Sequence, residues 1–210
     1  MLWNRSLVMQ DVETNSLWSQ ILGEAMDGPL EGTRLETFPS DMVTWAAWKK
    51  EHPNTTVLAM SRTHRAYGKD FYRDPTRFVL GWVVDGIPYH VSFDVLRRAP
   101  LVEFELEGEP LLLTFDPKTT SALLFSRRIA QRTLSFTLRD DGRIVDRQSG
   151  SSWNRSTGEA IDGSMRGQRL EQRAAIVSYT RAWRVFHPES KPIDGDGRVL
   201  RKASPRRRRI

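Results

Sequence analysis

The sequence predicts a mainly β fold with short helices, an α+β arrangement built on a pseudo-symmetric internal repeat. Three observations carry this. Sliding the chain against itself by 135 residues lays 11–53 over 146–188 without a gap, with 16 identities in 43 positions. Short apolar runs recur between Gly, Pro, Asn and Asp turns. Helical spacing is confined to brief stretches that end at Pro53, Pro100 and Pro188.

The chain opens with strand-like Leu7-Val8-Met9 and Ser16-Leu17-Trp18 around the turn Glu13-Thr14-Asn15. Asn15 aligns with Gly150, as expected where a residue must accept positive φ. Gly23, Gly28-Pro29 and Gly32 then interrupt the chain too often for a helix, and Thr33 to Phe38 is a further strand candidate. Ser40 or Asp41 can cap a helix that pairs Trp45 with Trp48 and runs to Pro53. The second copy predicts the same helix from Ile176 to Pro188, with Tyr179, Trp183 and Phe186 on its buried side. Thr55 to Ala59 reads as a β-branched strand, and 61–76, without period, as a long loop.

Phe78 to Val84 and Ile87 to Phe93 flank Asp85-Gly86, the strongest hairpin signal in the chain. A short helix from Asp94 to Ala99 follows. Leu101–Leu106, Leu111–Phe115, Ala122–Phe125 and Leu134–Leu138 then read as an antiparallel meander.

This organisation divides the chain into a partial first repeat (1–60), a connecting loop (61–77), a complete second repeat (78–189) and a disordered basic tail (190–210). One complete unit is a meander, then the turn-rich segment, then a capped helix. By that measure about 60 residues of meander would have to precede Met1 to complete the first unit, leaving roughly one and a half repeats. The strands near Leu7 and Leu17 are therefore expected to expose an edge or an apolar face. A homo-oligomer or partner chain is expected to cover it.

Composition narrows the function classes. There is no cysteine, which excludes disulfides, thiol nucleophiles and thiolate metal sites. No apolar run is long enough for a membrane-spanning helix, and Met1-Leu2-Trp3-Asn4-Arg5 does not begin an export signal; the compartment stays open. The net charge is +6, and residues 190–210 carry eight Lys/Arg against Asp194 and Asp196. That is the whole excess, so the body of the protein is neutral. Arg206 to Arg209, without interleaved aromatics, read first as a solubilising end and second as a weak, non-specific nucleic-acid contact.

Leu7-Val8-Met9, Asp11-x-Glu13-Thr14-x-Ser16-Leu17-Trp18-Ser19-Gln20, Gly28-Pro29-Leu30-x-Gly32, Thr44-Trp45-x-x-Trp48-x-x-x-His52-Pro53 and Tyr67-Gly68-Lys69-Asp70 form a long ordered series. This series resembles the family catalogued as domain of unknown function 3179, over roughly residues 2–190. The resemblance implies shape more than activity. It also implies a Tyr-Cys-Pro-x-Cys-Gly segment in the first meander. The internal correspondence puts that segment at 114–120 of the second unit, where Asp116 and Thr119 stand in place of thiols.

Residues written twice are what the fold needs twice. Trp18/Trp153 and Trp48/Trp183 are read as core aromatics. Asp11/Asp146, Asp27/Asp162 and Glu36/Glu171 are read as turn caps and partners of Arg34/Arg169 rather than metal ligands, and His52/His187 as helix-end residues. Unpaired residues are the better places to look. Gln20 (opposite Arg155), His64, Tyr67, Lys69, Asp70, His90 and Asp116 are the candidate binding residues, able to do acid–base chemistry only if they converge. No nucleophile elbow, phosphate loop, dinucleotide fingerprint or metal-binding His pair is present, so neither cofactor nor metal is expected. The leading expectation is a non-enzymatic β-rich scaffold or binding module. The alternative is a shortened member of a thiol- or metal-dependent enzyme family.

Overall fold

A computed structural model describes residues 2–4, 6–40, 43, 45–57 and 74–200. Among the described residues the fold is mainly β with three short α-helices. Leu2–Trp3 (β1), Ser6–Gln10 (β2), Leu17–Ser19 (β3) and Glu24–Asp27 (β4) pair in chain order as an antiparallel sheet, and Trp45–Glu51 forms helix α1. Thr33 to Phe38 does not form a strand. Arg34 makes a single bridge to Glu24, and the pairing stops there because Gly23 already turns β4 back towards β3. Thr55–Val57 is likewise not a strand, and the loop expected at 61–76 lies outside the described residues up to 73.

After a 3-10 turn at Pro75–Arg77, Phe78–Val84 (β5) and Ile87–Ser92 (β6) form the expected hairpin. Asp85 and Gly86 both take positive φ, +49° and +76°, the twist that a two-residue hairpin turn needs. Helix α2 (Phe93–Arg98) follows, its first turn closed by the Ser92 hydroxyl accepting from the Val95 N–H at 3.2 Å. Leu101–Leu106 (β7), Glu109–Asp116 (β8) and Ser121–Ser126 (β9) make the meander. A small hairpin, Arg128–Ile129 (β10) and Arg132–Thr133 (β11), leads out of it.

The second turn-rich segment contains Phe136–Leu138 (β12), Ile144–Asp146 (β13), Ser152–Trp153 (β14) and Ala160–Asp162 (β15), again paired in chain order. The helix expected from Ile176 is shorter at its start. Ile176–Tyr179 is a strand (β16) that pairs with β5, and only Thr180–Phe186 is helical (α3). The β-branched Ile-Val start and the free edge of β5 override the helical spacing there. The disordered end expected over 190–210 is corrected for 190–200, and 201–210 lie outside the described residues. Lys191–Pro192 (β17) pairs parallel with β6, Ile193 is buried in the core, and Asp194 Oδ1 accepts from the N–H groups of Asp196 and Arg198.

Three layers result. The sheet β16-β5-β6-β17 and helix α2 pack on one face of the meander, through Leu80, Trp82, Val91 and Phe93 against Leu111, Leu113, Phe115 and Leu124. The other face meets β12–β15, where Leu112, Leu123 and Phe125 surround Phe136, Ile144, Trp153 and Leu170. Alternate residues of β8 and β9 thus serve opposite cores, which is why these strands read as continuous apolar runs. Helix α3 lies on β5 because Gly81 leaves room: a Cβ there would sit 2.5 Å from the Trp183 ring.

Candidate functional site

The two turn-rich segments make the same local bonds at matching positions. In the first, Asp11 accepts from the Thr14 N–H (2.6 Å), the Thr14 hydroxyl and the Trp18 indole N–H (2.9 Å). In the second, Asp146 accepts from the Ser149 N–H (2.5 Å), the Ser149 hydroxyl and the Trp153 indole (2.9 Å). Ser16 Oγ then takes the Leu30 N–H, and Ser151 Oγ takes the Met165 N–H. The aspartates therefore organise turns and fix an indole. The Trp18 indole and then the Thr14 groups hold the Asp11 carboxyl down at about 2. Burial raises Asp146, but the Ser149 and Trp153 donors outweigh it and hold that carboxyl below its ordinary value. The arginines pair with Glu24 and Glu159 rather than with Glu36 and Glu171: Arg34 to Glu24 at 3.1 Å and Arg169 to Glu159 at 2.8 Å.

Identical bonds meet different surroundings. Met9 is 42% exposed, whereas Ile144, at the matching register position opposite the tryptophan, is fully buried. Leu35 is 50% exposed against 2% for Leu170. Trp18 is half-buried, whereas Trp153 is sealed by the meander. The expectation that both tryptophans are core residues thus holds only for the second. Leu7, on the same side of β2 as Met9, is 44% exposed as well, so the first sheet presents an open apolar face among the described residues.

The sequence-derived candidates do not form one site. His64, Tyr67, Lys69 and Asp70 lie outside the described residues. Gln20 is exposed in the turn after β3. His90 is buried on β6, its Nδ1 2.7 Å from the Ser190 hydroxyl. The Trp183 indole donates to the same oxygen at 2.7 Å, leaving the hydroxyl proton free to face His90. Burial, helped by the nearby Arg184, lowers the His90 imidazole to about 4 and keeps it neutral. This cluster ties β6, α3 and the approach to β17 together. Asp116 closes the β8 end and is joined to Arg155 at 2.8 Å, both side chains largely buried. Among the described residues no hydrogen bond or ion pair joins any two of Gln20, His90 and Asp116.

Sequence reasoning missed Ser190 because 190–210 read as disordered. The signal was a hydroxyl seven residues after each helix tryptophan: Trp48 donates to Thr55 Oγ1 at 3.0 Å, as Trp183 does to Ser190.

One comparison with known proteins is informative. The model of the family described as "Protein of unknown function (DUF3179)" matches the chain over residues 1–78 and 72–205. The chain belongs to this family. No curated protein and no solved structure matches it. Within this DUF3179 chain, the Asp116 carboxylate is engaged by Arg155. Arg155 is the counterpart of Gln20. The first segment therefore carries an uncharged amide where the second carries the guanidinium that reaches the meander. Among the described residues no group of three His, Asp or Glu side chains is placed to hold a metal ion, and no helix is long and apolar enough to cross a membrane.

Proposed function

We propose that the protein is a non-enzymatic, β-rich binding module, that its two turn-rich segments are copies of one building block, and that the open face of the β1–β4 sheet is its working surface, occupied by a second copy of the chain. The contrast between Met9 and Ile144, two matched positions with opposite exposure, carries this reading. In the second segment the matching face is buried against a β-sheet rather than a helix, so the open face has the shape for another sheet. The sheet of that chemistry available to this chain is its own, presented by another copy, and two such faces meeting about a two-fold axis close an isologous interface. Leu7, Met9 and Leu35 stay exposed in the first segment, which gives the association its driving force.

Light scattering over a concentration series tests the proposal. The wild-type protein is expected to dimerise, and Met9→Ser/Leu35→Ser to be monomeric, with the melting temperature that the wild type shows when diluted to its monomer. Val199→Ser, at an exposed apolar residue elsewhere, is expected to leave the dimer intact. A wild-type monomer at every concentration overturns the proposal.

A further inference from the structure

The lining of one open cavity, of about 410 Å³, brings three arginines together. It lies between the 3-10 turn and helix α3. Arg77, Arg181 and Arg184 line it together with Tyr179, Thr180 and Val185, and no carboxylate is among the described residues of the lining. None of the three guanidinium groups makes an ion pair among the described residues, whereas eight of the fourteen other described arginines do. Like charges held around one cavity repel, and an anion resolves that repulsion. The Tyr179 ring forms an aromatic wall, stacked on Phe78 with centroids 4.8 Å apart and with the Arg77 guanidinium 5.6 Å above it. Arg181 and Arg184 are three apart on α3 and so share a side of the helix.

The cavity also breaks the internal correspondence. At the offset of 135, Tyr179, Arg181 and Arg184 stand opposite Thr44, Ala46 and Lys49, so the aromatic wall and two of the three guanidinium groups occur only in the second segment. A feature the building block does not need twice is where a single ligand site belongs.

We propose that this cavity binds a phosphate monoester, the guanidinium forks gripping the phosphate oxygens and Tyr179 with Val185 receiving an adjoining apolar or aromatic group. Arginine suits this role because its planar donors meet two oxygens of a phosphate at once. The volume falls within the few hundred Å³ of small-molecule sites. Because the arginines are exposed, the affinity must fall as salt rises.

Isothermal calorimetry with phenyl phosphate at low ionic strength tests it, with inorganic phosphate as the bare anion. Saturable one-to-one binding is expected, weaker for inorganic phosphate. Arg77→Gln/Arg184→Gln should weaken it at least tenfold without changing the melting temperature, whereas Arg139→Gln, an exposed arginine elsewhere, should not. Flotation with phosphatidic acid vesicles distinguishes a lipid headgroup from a soluble ligand; capture that the double variant loses assigns the lipid source. No saturable binding of either phosphate probe, or equal binding by the double variant, overturns the proposal.

Discussion

The Trp183 indole donates to Ser190 Oγ at 2.7 Å, and His90 Nδ1 meets the same oxygen from β6. One hydroxyl thus joins a helix to a strand 100 positions away in the chain. Trp183→Phe is expected to leave a void over Gly81 and a hydroxyl with one partner fewer, costing about 2–4 kcal/mol in urea unfolding. Trp48→Phe, at the half-buried counterpart, should cost under about 1 kcal/mol. Equal losses for the two would refute the unequal burial on which the comparison rests.

His90 sets a pH dependence. Its folded value, about 4, lies below the ordinary 6.5, so the fold favours the neutral ring. The corresponding stability is complete above about pH 6.5 and is lost as pH falls towards 4, by an amount on the order of 2–3 kcal/mol. His187, also lowered by burial, acts in the same direction. Arg184, the charged group acting on His90 from α3, opposes protonation further. Urea titrations between pH 7 and 4 should show this slope flattened in His90→Gln.

Below pH 4 the aspartates take over. Both Asp11 and Asp146 have carboxyls held below 3.8, so they stabilise the fold above that value; the Asp11 share is lost as pH drops towards 2, and Asp146 acts in the same direction. Asp146→Ala leaves the fully buried Trp153 indole N–H without its acceptor and is expected to cost about 2–3 kcal/mol at pH 7. Asp11→Ala should cost less, because the Trp18 indole there can turn to water. Thermal melts of the two variants decide the order.

Truncation separates charge from fold. Residues 190–200 hold Lys191 and Arg198 against Asp194 and Asp196, so the entire +6 lies in 201–210. Removing 201–210 is expected to keep the melting temperature and abolish any salt-sensitive nucleic-acid retention. Removing 191–210 should unfold the protein, since β17 and Ile193 go with it. Sequence-selective binding that survives the shorter deletion would count against the electrostatic reading of the arginines.

Much of the fold was legible because its signals are local. Asp85-Gly86, the Gly-bounded turns and the apolar runs of β8 and β9 each state their conformation within a few residues. What was not legible depends on partners distant in the chain. Ile176–Tyr179 has helical spacing but becomes a strand because β5 offers an edge, and Lys191-Pro192 is ordered only because β6 stands beside it. The same holds for the site. The correspondence pointed to asymmetric residues, and Asp116 did meet the counterpart of Gln20. Nothing within the sequence placed Arg77 beside Arg184, since 3-10 turn and helix come together only when β16 docks on β5.

The parallel pairing of β17 with β6 orders events during synthesis. The hairpin β5–β6 leaves the ribosome early, with one flank of β6 unsatisfied and its Tyr89-His90 backbone bare. That flank must wait while the meander and the second turn-rich segment emerge. A nascent chain that has passed Ser92 but not Ser190 therefore carries a β6 margin with no strand beside it.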